Sequence, residues 1–149
     1  MLLVRPYPEP KEGLSEYLLR IAYANGYFKL GELLRVIEME QTKTSRFSKW
    51  SNKQLVFVEK ALQQYLGRNV DNVIKLHERC ENQDWLHMSG RALHELITDF
   101  PRICTYCLRE EKVMDWRWSI GTVARCIKHK IPLLDTCPTC DKPLKWDAN

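Results

Sequence analysis

Three two-spaced pairs of soft metal ligands crowd the last third of the chain: Cys104-Thr-Tyr-Cys107, Cys126-Ile-Lys-His129 and Cys137-Pro-Thr-Cys140. A two-residue spacer lets both side chains of a turn face one ion. Eighteen residues separate Cys107 from Cys126, inside the usual zinc-ribbon gap. Zn²⁺ takes four nitrogen or sulfur ligands in a tetrahedron, and Cys104, Cys107, Cys126 and His129 supply that set in order. Four protein ligands leave no position for water, so the expected ion is structural and not catalytic.

Two other readings compete. Free cysteine is a common core residue, but buried thiols have no reason to fall into three equally spaced pairs. Disulfides need an oxidising compartment. The opening Met1-Leu-Leu-Val-Arg-Pro has no long apolar core and is broken at Pro6 and Pro8, so no secretory leader is expected. A reducing cytoplasm fits, and there such pairs usually mean metal. The partners of Cys137 and Cys140 stay open. They look like the first half of a second ribbon, and the sequence stops at Asn149 before another half appears. Further chain could complete it, a distant ligand such as Cys80, His77 or His87 could, the pair could stay unmetallated, or it could displace Cys126 and His129. One zinc is expected, and a second if this pair finds partners.

The chain has 149 residues, of which 44% are hydrophobic and 28% charged, a balance that fits one ordinary globular domain or two small ones. No apolar run approaches the roughly 18 residues that span a bilayer. A net charge of +4 permits nucleic-acid contact without demanding it.

In chain order, the proline-rich segment 4–13 reads as an extended arm. Helices are expected over 14–25, 29–39, from Ser51 or Asn52 to Gly67, and over 70–80, with apolar residues at helical spacing in each. A further short helix is expected over 92–97. Gly13 or Ser15 caps the first, and Asn25-Gly26 stops it. These helices resemble a helix-turn-helix module in size and spacing. The expected fold is therefore a mainly α, helix-turn-helix-like domain over 1–100, followed by a small α+β zinc-ribbon domain over 101–149. Val113 to Ala124 is rich in β-branched and aromatic residues and predicts short strands, with Trp116 and Trp118 on one face. The stretch 41–49 is acid-free and places Lys43, Arg46 and Lys49 beside Phe47. It suits contact with nucleic acid or a partner protein, although a solvated loop accounts for it equally well.

Machinery for catalysis is not visible. There is no phosphate-binding loop, dinucleotide fingerprint or nucleophile elbow. The acids are not paired at a site, and zinc would consume the plausible Cys and His, so no enzyme is expected.

Two stretches resemble the TniQ family. The opening Arg5-Pro-Tyr-Pro-Glu-Pro-Lys-Glu-Gly-Leu-Ser-Glu-Tyr-Leu-Leu-Arg-Ile-Ala-Tyr-Ala-Asn-Gly-Tyr27 is similar to its arm and first helix. The segment with Cys104-x-x-Cys107-Leu-Arg-Glu, Trp118, Cys126-x-x-His129, Pro132-Leu-Leu and Cys137-Pro-x-Cys140 is similar to its zinc region. The resemblance implies target selection in Tn7-like transposition without catalysis. It implies an N-terminal helix-turn-helix domain with tandem zinc ribbons, the first held by Cys104, Cys107, Cys126 and His129, the second begun by Cys137 and Cys140. The implied partners are a TnsC-like AAA+ ATPase and either a CRISPR effector with its guide RNA or target DNA; a homodimer is open. A direct DNA reader of the TnsD kind and a zinc scaffold in another nucleic-acid complex are the alternatives. Candidate contacts for the ATPase are Arg5, Tyr7, Tyr27, Phe28 and Trp50, because aromatic and Arg residues usually anchor interfaces.

Overall fold

The computed structural model describes residues 2–37, 52–67, 98 and 100–145. Among them the architecture is mostly helical, with three isolated β-bridges. Helix α1 spans Leu14–Ala24, α2 Leu30–Val36, α3 Asn52–Leu66 and α4 Thr105–Glu111. A 3-10 turn follows at Trp116–Ser119.

The sequence periodicity explains the first three. Leu14, Leu18, Ile21 and Ala22 of α1 are buried against Leu30, Leu33 and Leu34 of α2 and Val58, Ala61, Leu62 and Leu66 of α3. Apolar residues three and four apart form one stripe, and three such stripes make one core. Gly26 ends α1 with a left-handed φ of 78°, open to glycine without steric penalty. Glu32 starts α2 by reaching back, its carboxylate accepting from the Phe28 and Lys29 amides at 3.1 and 3.3 Å. The expected helix ends at 25 and 67 agree with the structure within one position, whereas α2 ends at Val36 with Ile37 as its C-cap, short of the expected 39; residues 38 and 39 lie outside the described residues. The helices expected over 70–80 and 92–97 also lie outside the described residues.

The proline-rich arm is latched onto this core. The Asn25 side chain accepts from the Leu3 and Val4 amides and donates to the Val4 carbonyl at 2.8 Å. Arg5 donates to the Leu66 carbonyl at 3.2 Å, and Tyr17 donates its hydroxyl to the Pro6 carbonyl at 2.9 Å. Glu12, buried, takes a two-pronged ion pair from Arg20, with Nε at 2.7 Å and Nη2 at 2.6 Å. This fork geometry is the strong form of an ion pair.

The C-terminal region meets the start of α1 and the residues just before it, at Lys11, Gly13 and Glu16. The Trp116 amide donates to the Lys11 carbonyl at 3.0 Å. A Cβ on Gly13 would fall 3.0 Å from that of Trp116 and 2.3 Å from Glu16 Oε2, so any larger residue would make the Glu16 carboxylate and Trp116 shift. Ser119 donates to Glu16 at 2.9 Å. Burial pushes the Glu16 carboxyl up to about 7; the bonds from its own amide and Ser119 oppose this, and the neighbouring charges of Glu12 and Asp115 add to it.

One expectation is corrected. Residues 113–124 do not form the predicted strands around Trp116 and Trp118. Asp115 caps a 3-10 turn by accepting from the Arg117 amide at 3.0 Å, and the Arg117 guanidinium closes on the same carboxylate. Trp118 is then buried and Trp116 half-buried. The local cap outcompetes the β-propensity of the flanking residues, because that propensity reflects packing more than the backbone.

Candidate metal centre

Each pair of the expected ligand set is placed by a different local structure. Cys104 is the N-cap residue of α4, with extended backbone, and Cys107 lies one turn on, so both sulfurs leave the helix start on one side. Cys126 and His129 sit in a tight turn. The Lys130 amide donates to the Cys126 carbonyl at 2.9 Å, and the Cys126 amide donates to the Ile131 carbonyl at 2.9 Å. Lys130 closes the turn at φ 59°, and the His129 amide points at the Cys126 sulfur, 3.4 Å away. Ile103 and Leu134 exchange both backbone hydrogen bonds, at 2.8 and 2.9 Å, which brings the turn against the start of α4.

Together these make a buried cluster of Cys104, Cys107, Cys126 and His129 whose ligand atoms lie within 4.8 Å of one another, able to hold a metal ion. His129 Nδ1 is 3.4 Å from the sulfur of Cys104, 3.2 Å from that of Cys107 and 3.8 Å from that of Cys126. The Cys107 and Cys126 sulfurs are 3.6 Å apart. Trp118 packs on the three cysteines, with Leu108, Met114, Ile131 and Leu133 around them. The electrostatics of the thiols are divided. Burial and the thiols of Cys126 and Cys104 push Cys107 up to about 12. Burial acts the same way on Cys126, but hydrogen bonds from the His129 amide and ring and from the two other thiols outweigh it and bring Cys126 to about 7. A cation is what would allow three such sulfurs to ionise together.

Arg102 supports the centre from beneath. Its guanidinium donates to the carbonyls of Trp118 at 2.9 Å, Ile120, and Gly121 at 3.3 Å, tying the 3-10 turn to the strand-like entry into α4. Sequence reasoning missed this residue and α4 itself. The run Leu108-Arg-Glu-Glu-Lys112, free of Gly and Pro, was the available signal for the helix. For Arg102 there was none.

Cys137 and Cys140 form a second turn of the same construction. The Asp141 amide donates to the Cys137 carbonyl at 2.8 Å, the Cys137 amide to the Lys142 carbonyl at 2.8 Å, and Asp141 adopts φ 53°. The Thr139 and Cys140 amides face the Cys137 sulfur and hold its thiol below the ordinary range. Cys137 is half-buried and Cys140 exposed. Among the described residues no third ligand joins them.

The other candidate contacts divide. Arg5 is engaged with the Leu2 and Leu66 carbonyls. Tyr7 is 74% exposed, and Leu3, also in the N-terminal segment, 87%. Lys43, Arg46, Phe47, Lys49 and Trp50 lie outside the described residues, as do His77, Cys80 and His87.

A mostly helical fold bearing a buried Cys/His cluster that could hold a metal ion defines the class of protein. The chain belongs to the TniQ family, whose model matches residues 3–133 and so spans the arm, the helical core and all four cluster ligands. That family serves target selection in Tn7-like transposition. No curated protein matches the chain. No helix among the described residues is long and apolar enough to cross a membrane.

Proposed function

We propose that this chain is a non-catalytic target-selection adaptor that joins a target-recognition complex to a TnsC-like AAA+ ATPase in Tn7-like transposition. The observation that carries the reading is the family match over residues 3–133, continuous from the arm through the metal cluster. The cluster supports a structural role, since four protein ligands would fill a tetrahedron around an ion and leave no open position for chemistry. In this reading 1–100 is a helix-turn-helix-like domain and 101–149 a zinc-ribbon domain.

Zinc is the proposed ion. A tetrahedron with Zn–S of roughly 2.3 Å and Zn–N of roughly 2.0–2.1 Å has edges of about 3.8 Å between sulfurs and about 3.6 Å between sulfur and nitrogen. The separations of 3.6 Å and 3.2–3.8 Å match those edges. Cys137 and Cys140 would contribute two thiolates to a second zinc, completed by ligands outside the described residues.

Reconstitution tests the adaptor role. The full chain should capture the TnsC-like ATPase from its own locus when ATP and DNA are present. Deleting the arm is a poor probe of contact, because Asn25, Tyr17 and Arg20 all bond to it. Tyr7→Ala and Leu3→Asp change exposed side chains and leave those backbone bonds in place. They should weaken capture several-fold without changing thermal stability. Tight binding of one DNA sequence by the isolated chain, with no affinity for the ATPase, would replace the adaptor with a direct DNA reader; such binding would fall steeply with salt.

A further inference from the structure

We propose that Glu110 is the positioning carboxylate of the metal centre: it holds the Nε2–H of His129 and thereby commits Nδ1 to the ion. The inference rests on the reading of the cluster as a zinc site.

A neutral imidazole carries one proton on either of two nitrogens, and the hydrogen bond made by one nitrogen decides which is left to bind metal. Both sides of the His129 ring are accounted for. Nδ1 faces the three sulfurs at 3.2–3.8 Å. Nε2, on the opposite edge, is 3.2 Å from Glu110 Oε1. The Tyr106 ring lies tilted against the imidazole, with centroids 5.4 Å apart. Edge and face are therefore both restrained.

Glu110 is well placed for this duty. It lies on α4 one turn beyond Cys107, so the helix that presents Cys104 and Cys107 also presents the group that orients the fourth ligand. Its other oxygen takes the Lys128 ammonium at 2.6 Å, and Lys128 is the chain neighbour of His129. Lys128 also reaches Glu111 at 2.9 Å, and Glu111 pairs with Lys11 of the arm. Glu111 is the natural control: it shares the lysine but has no contact with the ring. Outer carboxylates of this kind typically tune metal affinity ten- to hundred-fold.

The test uses the full chain loaded with zinc. Metal analysis of the unsubstituted protein comes first, and a folded chain without metal sinks the zinc reading itself. With zinc bound, long-range ¹H–¹⁵N correlation of the His129 ring should show a proton on Nε2 and metal on Nδ1. Metal on Nε2 would overturn the assignment, whatever any variant does. Zinc affinity by chelator competition should fall ten- to hundred-fold in Glu110→Ala and less in Glu110→Gln, whose amide oxygen still accepts the Nε2–H. Glu111→Ala should stay within about two-fold. Equal losses in Glu110→Ala and Glu111→Ala would make the effect one of surface charge and overturn the positioning role.

Discussion

Residues 124–133 and 135–144 build one backbone twice. Every backbone–backbone hydrogen bond of the first turn has a counterpart eleven residues later: Cys126 with Ile131 becomes Cys137 with Lys142, Lys130 with Cys126 becomes Asp141 with Cys137, and Leu133 with Ala124 becomes Leu144 with Asp135. The bridge Arg125–Pro132 returns as Thr136–Pro143, and the left-handed residue as Asp141 after Lys130. Among the described residues only the first turn belongs to a buried cluster. Its Ile131 and Leu133 pack beside Trp118 and the cysteines; the counterpart of Ile131 is Lys142, which is exposed. The turn is thus a local product of ligand spacing and a left-handed closing residue. The closed centre is a tertiary product of α4 and Trp118 packing onto it.

Breaking one ligand in each turn should give the largest contrast. Cys126→Ser should lose the metal and unfold the C-terminal region, because structural zinc in small domains supplies apparent binding energies of about 10–16 kcal/mol. Cys137→Ser should leave thermal stability nearly unchanged and at most remove a second ion. Elemental analysis with Trp fluorescence, which follows the burial of Trp118, reads both. Equal unfolding by the two substitutions would mean that the second turn is a structural equal of the first.

The first turn's surroundings also reach α1, through Ser119 and buried Glu16. With the folded carboxyl raised from 4.5 to about 7, the native state binds more protons than the unfolded state across that window. Stability from this group is therefore greatest at acid pH and falls as pH rises through about 7. The full shift corresponds to about 3 kcal/mol at most. Glu16→Gln keeps an acceptor for Ser119 and should flatten the decline. Denaturant midpoints of both proteins between pH 5 and 8 measure it. Protonation of the metal ligands gives the opposite slope at low pH in both, so the difference between the two proteins isolates Glu16. An unaltered slope in Glu16→Gln would rule out this residue as its source.

What the sequence makes legible follows the same division. The three N-terminal helices were readable because Leu14, Leu18 and Ile21, like Leu30, Leu33 and Leu34, repeat at helical spacing and are buried on that face. The Cys/His cluster was readable because two-residue spacers are a local signature. The 3-10 turn was not, since Trp116, Trp118 and Ile120 read as strand and only the Asp115 cap decides otherwise. Glu16, Glu110 and Arg102 were invisible for one shared reason: their partners Ser119, His129 and the carbonyls of residues 118–121 lie far along the chain. Burial of a charged side chain cannot be read from a helical stripe, which predicts solvent for Glu16.

The smallest expected effect tests the backbone equivalence itself. Lys130 and Asp141 hold φ of 59° and 53°, a region that costs most L-residues roughly 1–2 kcal/mol. Glycine removes that strain but adds about 0.4–1 kcal/mol of unfolded-chain entropy. The two nearly offset, so Lys130→Gly should stabilise by about 0.5 kcal/mol. Asp141→Gly should gain less, because a short polar side chain already tolerates this conformation. Its turn also carries little of the buried packing, so any gain there should scarcely reach the melting temperature. Lys130→Gly should raise that temperature by about 1–2 °C, given the usual few degrees per kcal/mol for a chain of this size. A larger rise from Asp141→Gly than from Lys130→Gly would place the second turn inside the cooperative unit, and the exposure of Cys140 would no longer separate the two.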